Sequence, residues 1–213
     1  MDSLKKHDNR QYWNNVYEGI TEVKPVYDLW LDKFKDILKE NKGRAIIDLG
    51  CGAGNNTLYL CERGYKVISC DYSREALSIV NEFIPEAETM EMDLTERLPF
   101  EDDSTEVVIA DLCLHYFSKY VTRYIINEIK RVLCDGGKLI FRVNSINDIN
   151  YGAGSGTEVE KHFYRSQSGF KRYFDEEDIR SFFSGWSIEY LKENTMYRYD
   201  MEKRLYECMA VKP

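Results

Sequence analysis

Short apolar segments alternate with helix-like segments through the middle of this chain, and this rhythm restricts the fold more than any other feature. Five segments between residues 44 and 145 have the length and composition of strands: RAIIDLG, YKVISCD, ETMEMDL, TEVVIADL and GKLIFRVNS. Helical patterns at 55–64, 73–84 and 119–137 separate most of them, the second with Ser73 in the N-cap position. Such alternation predicts βαβ units and a doubly wound α/β fold with a parallel sheet covered on both faces.

The two ends of the chain depart from this rhythm. Apolar residues spaced three and four apart predict helices at 8–20 and 25–43. After Ser145, residues 147–174 contain four glycines and six aromatic residues but no clear period. A long loop in a compact domain is usually functional or disordered, and the aromatic residues argue against disorder. We therefore expect this segment to form a lid over a ligand.

The C-terminal residues predict a helix at 175–183, N-capped by Asp175, and two closing strands at 186–194 and 203–212. A chain of 213 residues has the length of one core. We expect a single domain of four parts: N-terminal helices at 1–42, a ligand-binding core at 43–143, a lid insertion at 144–174, and a helix with strands at 175–213.

Charge and cysteine content restrict the partners. The chain has 29 basic and 37 acidic residues and a formal charge of −8, which argues against a broad nucleic-acid surface. Its six cysteines form no CxxC pair and match no zinc pattern, so no metal site is expected. Without a signal peptide or an apolar run of about 18 residues, the sequence predicts a cytoplasmic, thiol-reduced protein that does not enter a membrane.

A glycine-rich turn follows the first predicted strand. Gly50, Gly52 and Gly54 permit positive φ angles and let a ligand approach the backbone, although a plain strand-to-helix turn is an alternative. The spacing GxGxG lacks the third glycine of the NAD fingerprint, since Asn55 stands in its place. Asp71 ends the next strand, 21 positions after Gly50 (71 − 50), where a carboxylate can accept both ribose hydroxyls. An adenosine-type ligand is therefore expected.

Five motifs in order between residues 46 and 143 resemble the class I S-adenosylmethionine-dependent methyltransferases: DLGCGAGNNTLYL, VISCD, MEMDL, LPFEDDSTEVVIADLCLHYF and EIKRVLCDGGKLIF. CGAGNNTLYL and GFKRYFDEEDIRSFFSGW are also loosely similar to the tellurite-resistance methyltransferases. The resemblance implies a Rossmann-like, mostly parallel seven-stranded sheet with helices on both faces and an antiparallel C-terminal strand. It also implies S-adenosylmethionine as cofactor and S-adenosylhomocysteine as product. We expect methyl transfer to a small-molecule acceptor, because the acidic balance of the chain disfavours RNA or DNA.

The same resemblance assigns cofactor-binding positions at the strand ends: Asp48, Gly50, Gly52, Gly54, Asp71, Asp93, Leu94, Asp111 and Leu112. It places the ribose at Asp71, the adenine at Asp93 and Leu94, and the ammonium at Asp111 and Leu112. Several strand-end acids suit a cationic ligand, because opposite charges about 4 Å apart gain on the order of 4 kcal/mol before desolvation. They suit the pyrophosphate of a dinucleotide poorly.

Methyl transfer from a sulfonium is an in-line displacement, in which the protein mainly positions the reactants. His115 is the candidate general base, with packing beneath the cofactor as the alternative. Tyr12 and Trp13 are candidates to cover the site, or to staple the first helix to the sheet. In the insertion, Arg165, Lys171 or Arg172 could hold an anionic group of the substrate.

Other functions remain open at this stage: a nucleotide-dependent oxidoreductase, a non-catalytic module that binds S-adenosylmethionine, and a protein methyltransferase. The missing third glycine and the acidic strand ends disfavour the oxidoreductase. The expected partner is a small-molecule substrate, and the protein is expected to be a monomer or a homodimer.

Overall fold

The computed structural model of the protein describes residues 10–18, 24–41, 43–167, 169–197 and 200–213, with residues 10–12 described by their backbone alone. Ten strands are present in this part of the chain: β1 Ile46–Leu49, β2 Val67–Asp71, β3 Glu88–Glu91, β4 Thr105–Asp111, β5 Leu133–Asn144, β6 Thr157–Glu160, β7 Phe163–Ser166, β8 Gly169–Arg172, β9 Ser187–Met196 and β10 Lys203–Val211. The described helices are α1 Arg10–Glu18, α2 Lys35–Lys39, α3 Asn55–Cys61, α4 Arg74–Phe83, α5 Lys119–Val132 and α6 Glu176–Phe182.

Seven strands form the main sheet in the order β3-β2-β1-β4-β5-β10-β9. Pairs within β1 to β5 are parallel, whereas β10 runs antiparallel to both β5 and β9. The predicted doubly wound sheet with an antiparallel C-terminal strand is confirmed. The chain order reverses between β1 and β4, so the carboxyl ends of these two strands flank the crevice where open α/β sheets bind ligands.

Both faces of the sheet are covered by apolar packing. On one face, Ile125, Ile129 and Phe183 of the α5 and α6 regions pack against residues of β4 and β5. On the other face, Trp30 and Leu38 belong to a second cluster. The predicted caps are present, because Ser73 Oγ accepts from the N–H of Ala76 and Asp175 forms a capping box with Asp178. Within the described residues, no helix is both long and apolar enough for a membrane crossing.

Two predicted helices end differently from their sequence pattern. The helix expected at 25–43 is a 3₁₀ helix at Leu29–Phe34 followed by the short α2. The helix expected to run to the Gly136–Gly137 pair ends at Val132, and β5 begins at once. The glycines lie in an irregularity of β5, where the pairing with β4 shifts between Thr105 and Val107.

The predicted lid insertion contains a small antiparallel sheet of its own, with strand order β6-β7-β8. Pairing aligns Phe163 with Arg172 and Tyr164 with Lys171, so alternate residues face opposite sides. Phe163, Phe170 and Arg172 are buried on one side. Strand β8 packs against the 3₁₀ turn Leu114–Tyr116, which follows β4 and lies beside the crevice.

Candidate functional site

The glycine turn leaves the carboxyl end of β1 with its backbone bare. Gly50, Gly52 and Gly54 have φ angles of 62°, 55° and 89°. A Cβ at Gly50 would lie 2.5 Å from the Cβ of Cys113, so this position has no room for a side chain. A Cβ at Gly52 would lie 2.5 Å from the Tyr17 hydroxyl of α1. The packing around the turn therefore requires glycine at Gly50, because a side chain there would collide with Cys113.

Asp71 at the end of β2 holds this turn in place. Its Oδ2 accepts the N–H of Gly52 at 3.0 Å, and its Oδ1 accepts the N–H of Ser73 at 2.9 Å. Burial raises the pKa of Asp71, against the lowering effect of these backbone hydrogen bonds. A carboxylate has about four lone-pair positions, so further hydrogen-bond acceptance by Asp71 remains possible.

Asp48 lies fully buried beneath the turn. Its Oδ2 accepts from the Thr57 hydroxyl at 2.8 Å, while its Oδ1 has no partner among the described residues. Burial raises the pKa of Asp48 to about 7, and the charges of Asp111 and Asp71 add to the effect. A carboxyl group that ionises near neutral pH therefore lies directly under the site.

Asp111 at the end of β4 is already neutralised by an arginine that sequence analysis missed. Arg142 of β5, only 1% exposed, donates from Nε and Nη2 to the two carboxylate oxygens at 2.6 and 2.7 Å. Its Nη1 also donates to Asp28 at 2.7 Å, and its guanidinium lies 4.3 Å from the Trp30 ring centroid. The acidic strand ends are thus less negative than a count of acids indicates. The sequence does contain one sign of Arg142, because it is the single charged residue in the apolar run LIFRV.

The other predicted cofactor positions lie at neighbouring points of the same sheet edge. Asp93 follows β3, and its Oδ1 accepts from the N–H and the hydroxyl of Thr95, each at 2.8 Å. Leu94 is half-buried and packs against the main core cluster. Leu112 has a φ angle of 55°, which is rare for a residue other than glycine, and donates its N–H to the Arg142 carbonyl at 3.0 Å.

Aromatic side chains of α1 and of the turn after β4 pack against one another, and Tyr17 of α1 lies against the glycine turn. The Trp13 ring centroid is 6.0 Å from that of Tyr17 and 5.6 Å from that of Tyr116. Tyr17 in turn reaches Gly52. Trp13 therefore belongs to the surroundings of the predicted site, whereas the Tyr12 side chain lies outside the described part of the chain.

His115 is buried beside these rings, at 2% exposure and with its ring centroid 4.2 Å from that of Tyr116. Its Nδ1 has no hydrogen-bond partner among the described residues. Burial lowers the pKa of His115 well below its usual range, and the positive charges of Lys171 and Lys203 lower it further. The imidazole is therefore neutral at physiological pH.

The structure corrects the assignment of Arg172 to the substrate. Arg172 is buried, forms an ion pair with Glu160, and donates to the Lys161 carbonyl at 2.9 Å. Its guanidinium lies 4.7 Å from the Phe163 ring centroid. A side chain held in this way stabilises the insertion. Arg165, the other predicted arginine, is exposed on β7.

One group of possible metal ligands occurs in the described ranges: His162, Asp175 and Asp178. His162 Nδ1 lies 2.6 Å from Asp178 Oδ2. The ammonium of Lys161 lies 3.1 Å from Asp178 and 3.6 Å from Asp175, so a positive charge already occupies this cluster. The arrangement is an ion-pair network around the start of α6.

Comparison with known proteins agrees with this geometry. Residues 47–141 match the family model of a methyltransferase domain. The chain is 30% identical over 187 residues to the tRNA N(3)-methylcytidine methyltransferase Mettl2 of Drosophila melanogaster, covering 82% of this chain and 56% of that protein. It is 29% identical over 152 residues to the demethylmenaquinone methyltransferase of Bacillus velezensis, covering 66% of this chain and 64% of that protein.

The chain thus spans less than two thirds of the length of either relative. Among solved structures, an SAM-dependent methyltransferase from Methanosarcina mazei superposes with a TM-score of 0.71 at 19% identity, covering 83% of this chain and 96% of the other. At this identity the likeness shows a shared fold.

Proposed function

Because this chain belongs to the class I S-adenosylmethionine-dependent methyltransferase superfamily, we propose that the protein transfers a methyl group from S-adenosylmethionine to a small-molecule acceptor. The observation that carries the proposal is the junction of β1 and β2. There, Asp71 accepts the N–H of Gly52 at 3.0 Å, and a bare backbone turn lies beside the switch point of the sheet. A ligand with a ribose and positive charges matches this junction.

The residues at this edge fit the cofactor. Asp71 has lone pairs left for ribose hydroxyls, and the buried Asp48 has one oxygen without a partner. When bound, S-adenosylmethionine supplies a methyl group that its sulfonium has already activated. We propose that Gly50, Gly52 and Gly54 admit its methionine end, and that Asp93 and Leu94 meet its adenine. At Asp111 and Leu112 we propose backbone carbonyls as ammonium acceptors, because Arg142 already neutralises the Asp111 carboxylate.

The chain's own contribution to the reaction is positioning and proton acceptance. Holding the acceptor in line with the methyl group and away from water can supply about 7–11 kcal/mol. Nδ1 of His115 has no hydrogen-bond partner among the described residues, and in the tautomer that leaves this nitrogen unprotonated it can take the proton of an O–H or N–H acceptor, a contribution of roughly 10²–10⁴-fold in rate. Trp13, Tyr17 and Tyr116 close the site above the glycine turn and limit the entry of water.

An RNA acceptor is the second candidate, because the Drosophila relative that matches 82% of this chain is a tRNA methyltransferase. The formal charge of −8 and the enclosed position of His115 favour a small molecule.

All six cysteines are free thiols, which supports our proposal of a reducing compartment such as the cytoplasm.

Calorimetric titration with S-adenosylmethionine, S-adenosylhomocysteine and NAD tests the cofactor. We expect the first two to bind, and binding of NAD alone would refute the proposal.

Asp71→Asn should weaken S-adenosylhomocysteine binding by about 1–3 kcal/mol, because the amide cannot match the hydroxyls and N–H donors that the carboxylate accepts. Glu101→Gln removes an equal charge from an exposed position and serves as the matched control.

Transfer of a radiolabelled methyl group then separates the acceptors. Label in a small-molecule extract supports the proposal, and label confined to tRNA favours the second candidate. Cofactor binding with no transfer to small molecules, RNA or protein identifies a non-catalytic binding module.

A further inference from the structure

The face of the insertion sheet that carries Lys171 is distinct from the face that carries the buried Arg172. Lys171 lies on β8 directly across from Tyr164 on β7. Because neighbouring residues of a strand point to opposite sides, Lys171 points away from the side that buries Phe170 and Arg172. Strand β8 packs on the turn that holds His115, so Lys171 lies near the acceptor end of the proposed site.

The cations around this point differ in whether a carboxylate neutralises them. Lys203, 5% exposed, donates to Asp148 at 2.7 Å and lies 4.6 Å from the Tyr151 ring centroid. Arg142 is held by two carboxylates. Within the described ranges, half-buried Lys171 has no ion pair, and the nearby Asp148 is already bound to Lys203 and to the N–H of Arg204.

The absence of a counter-ion is reflected in the pKa of the Lys171 ammonium. Burial lowers the pKa of Lys171, and the positive charge of Lys203 lowers it further. The same two lysines act on His115, whose Nδ1 is buried without a partner. Within the described part of the chain, a lysine without a counter-ion and an imidazole nitrogen without a hydrogen-bond partner therefore lie in one region. An anionic molecule with an acidic hydrogen on its nucleophile would satisfy both groups.

We propose that Lys171 binds an anionic oxygen group of the methyl acceptor, a carboxylate or a phosphate, and so places the nucleophilic atom of that acceptor beside His115. This inference rests on the proposed methyltransferase function and adds the class of its substrate. Tyr164 and Tyr173, whose ring centroids are 6.0 Å apart, give the same region aromatic walls.

The test measures binding of three probes, benzoate, phenyl phosphate and the uncharged benzamide, to the protein saturated with S-adenosylhomocysteine. We expect at least one of the two anions to bind the wild-type protein more tightly than benzamide. Lys171→Met should weaken that binding by about 10- to 100-fold, and Lys171→Arg should restore most of it. Lys35→Met removes an exposed lysine of α2, outside the insertion, and should leave anion binding unchanged.

Thermal unfolding and S-adenosylhomocysteine affinity of each variant show whether the fold and the cofactor site are intact. If Lys171→Met unfolds, Lys171→Gln replaces it. Equal anion affinity in the wild-type and Lys171→Met proteins, or no preference of the wild-type protein for the anions over benzamide, would overturn this inference alone. Failure of the wild-type protein to bind S-adenosylhomocysteine would instead overturn the proposed function. In that case the anions are titrated into the wild-type and Lys171→Met proteins in the absence of S-adenosylhomocysteine.

Discussion

Replacing Asp48 with asparagine should change how the stability of the protein depends on pH. Asp48 is fully buried and has a pKa of about 7, compared with 3.8 for an ordinary aspartate. Between these two values the folded protein keeps a proton that the unfolded chain has released. The free energy of unfolding therefore falls as pH rises through this window and becomes level above about pH 7. Asp48→Asn removes the titrating group and with it this slope.

The size of the effect follows from the pKa. Each pH unit in the window costs about 1.4 kcal/mol. The slope weakens as pH approaches 7, so between pH 5 and pH 7 the wild-type protein should lose about 2 kcal/mol of stability relative to Asp48→Asn. Any fixed difference between the two proteins, such as an amide N–H₂ at the site of the unpartnered Oδ1, is independent of pH. The slope of the difference is thus the quantity that the structure predicts.

Urea denaturation of both proteins without ligand, followed by circular dichroism at pH 5, 6, 7 and 8, measures this slope. Titrations that the two proteins share cancel in the difference. Parallel stability profiles across pH 5–7 would contradict the reasoning. A cationic ligand above Asp48 should favour its ionised form, so binding of S-adenosylmethionine, which carries a positive sulfonium, should release a proton at pH 6. Calorimetry in buffers of different ionisation enthalpy detects that release.

Three further substitutions test the architecture of the site. Gly50→Ala should destabilise the fold by about 2–5 kcal/mol, the sum of left-handed backbone strain and steric overlap, whereas Gly64→Ala, at φ 81° and in open space, should show only the strain of about 1–2 kcal/mol. If Gly50→Ala and Gly64→Ala lose equal stability in chemical denaturation, steric overlap at Gly50 is excluded. Arg142→Met should cost about 3–5 kcal/mol in unfolding free energy, because it removes the guanidinium that neutralises the buried Asp111 carboxylate, and a neutral effect would contradict the ion-pair assignment. Arg172→Ala should make residues 157–172 sensitive to limited proteolysis while Arg165→Ala should not, and equal sensitivity would argue against a structural role for Arg172.

Much of the fold could be predicted because its signals are local. Apolar runs such as VVIA of β4 can only be buried, and helices between them require parallel pairing. The caps Ser73 and Asp175 act within three residues, so their sequence context determines them. Local signals were weaker at the end of α5, where the glycine pair resembled a helix stop but belongs to an irregular strand start.

The candidate site was predictable in its positions and less so in its charges. The glycine turn and Asp71 are fixed by their places after β1 and β2, and both are close in the structure. Asp111 was correctly placed at a strand end, yet its partners Arg142 and Asp28 are distant in sequence. Pattern reasoning could not find that pairing, because it depends on which strand lies next to β4 and on where the chain before α2 returns.

By itself, then, the sequence determined the alternating strands, the bare turn after β1 and the acids at the strand ends, since burial, backbone freedom and capping act over a few residues. Only the tertiary structure decided which of those acids are neutralised, that Arg172 is held by Glu160, and that Lys171 lies near His115 without a counter-ion among the described residues. Electrostatic neutralisation and desolvation depend on groups that meet from distant parts of the chain, and no local pattern records those meetings.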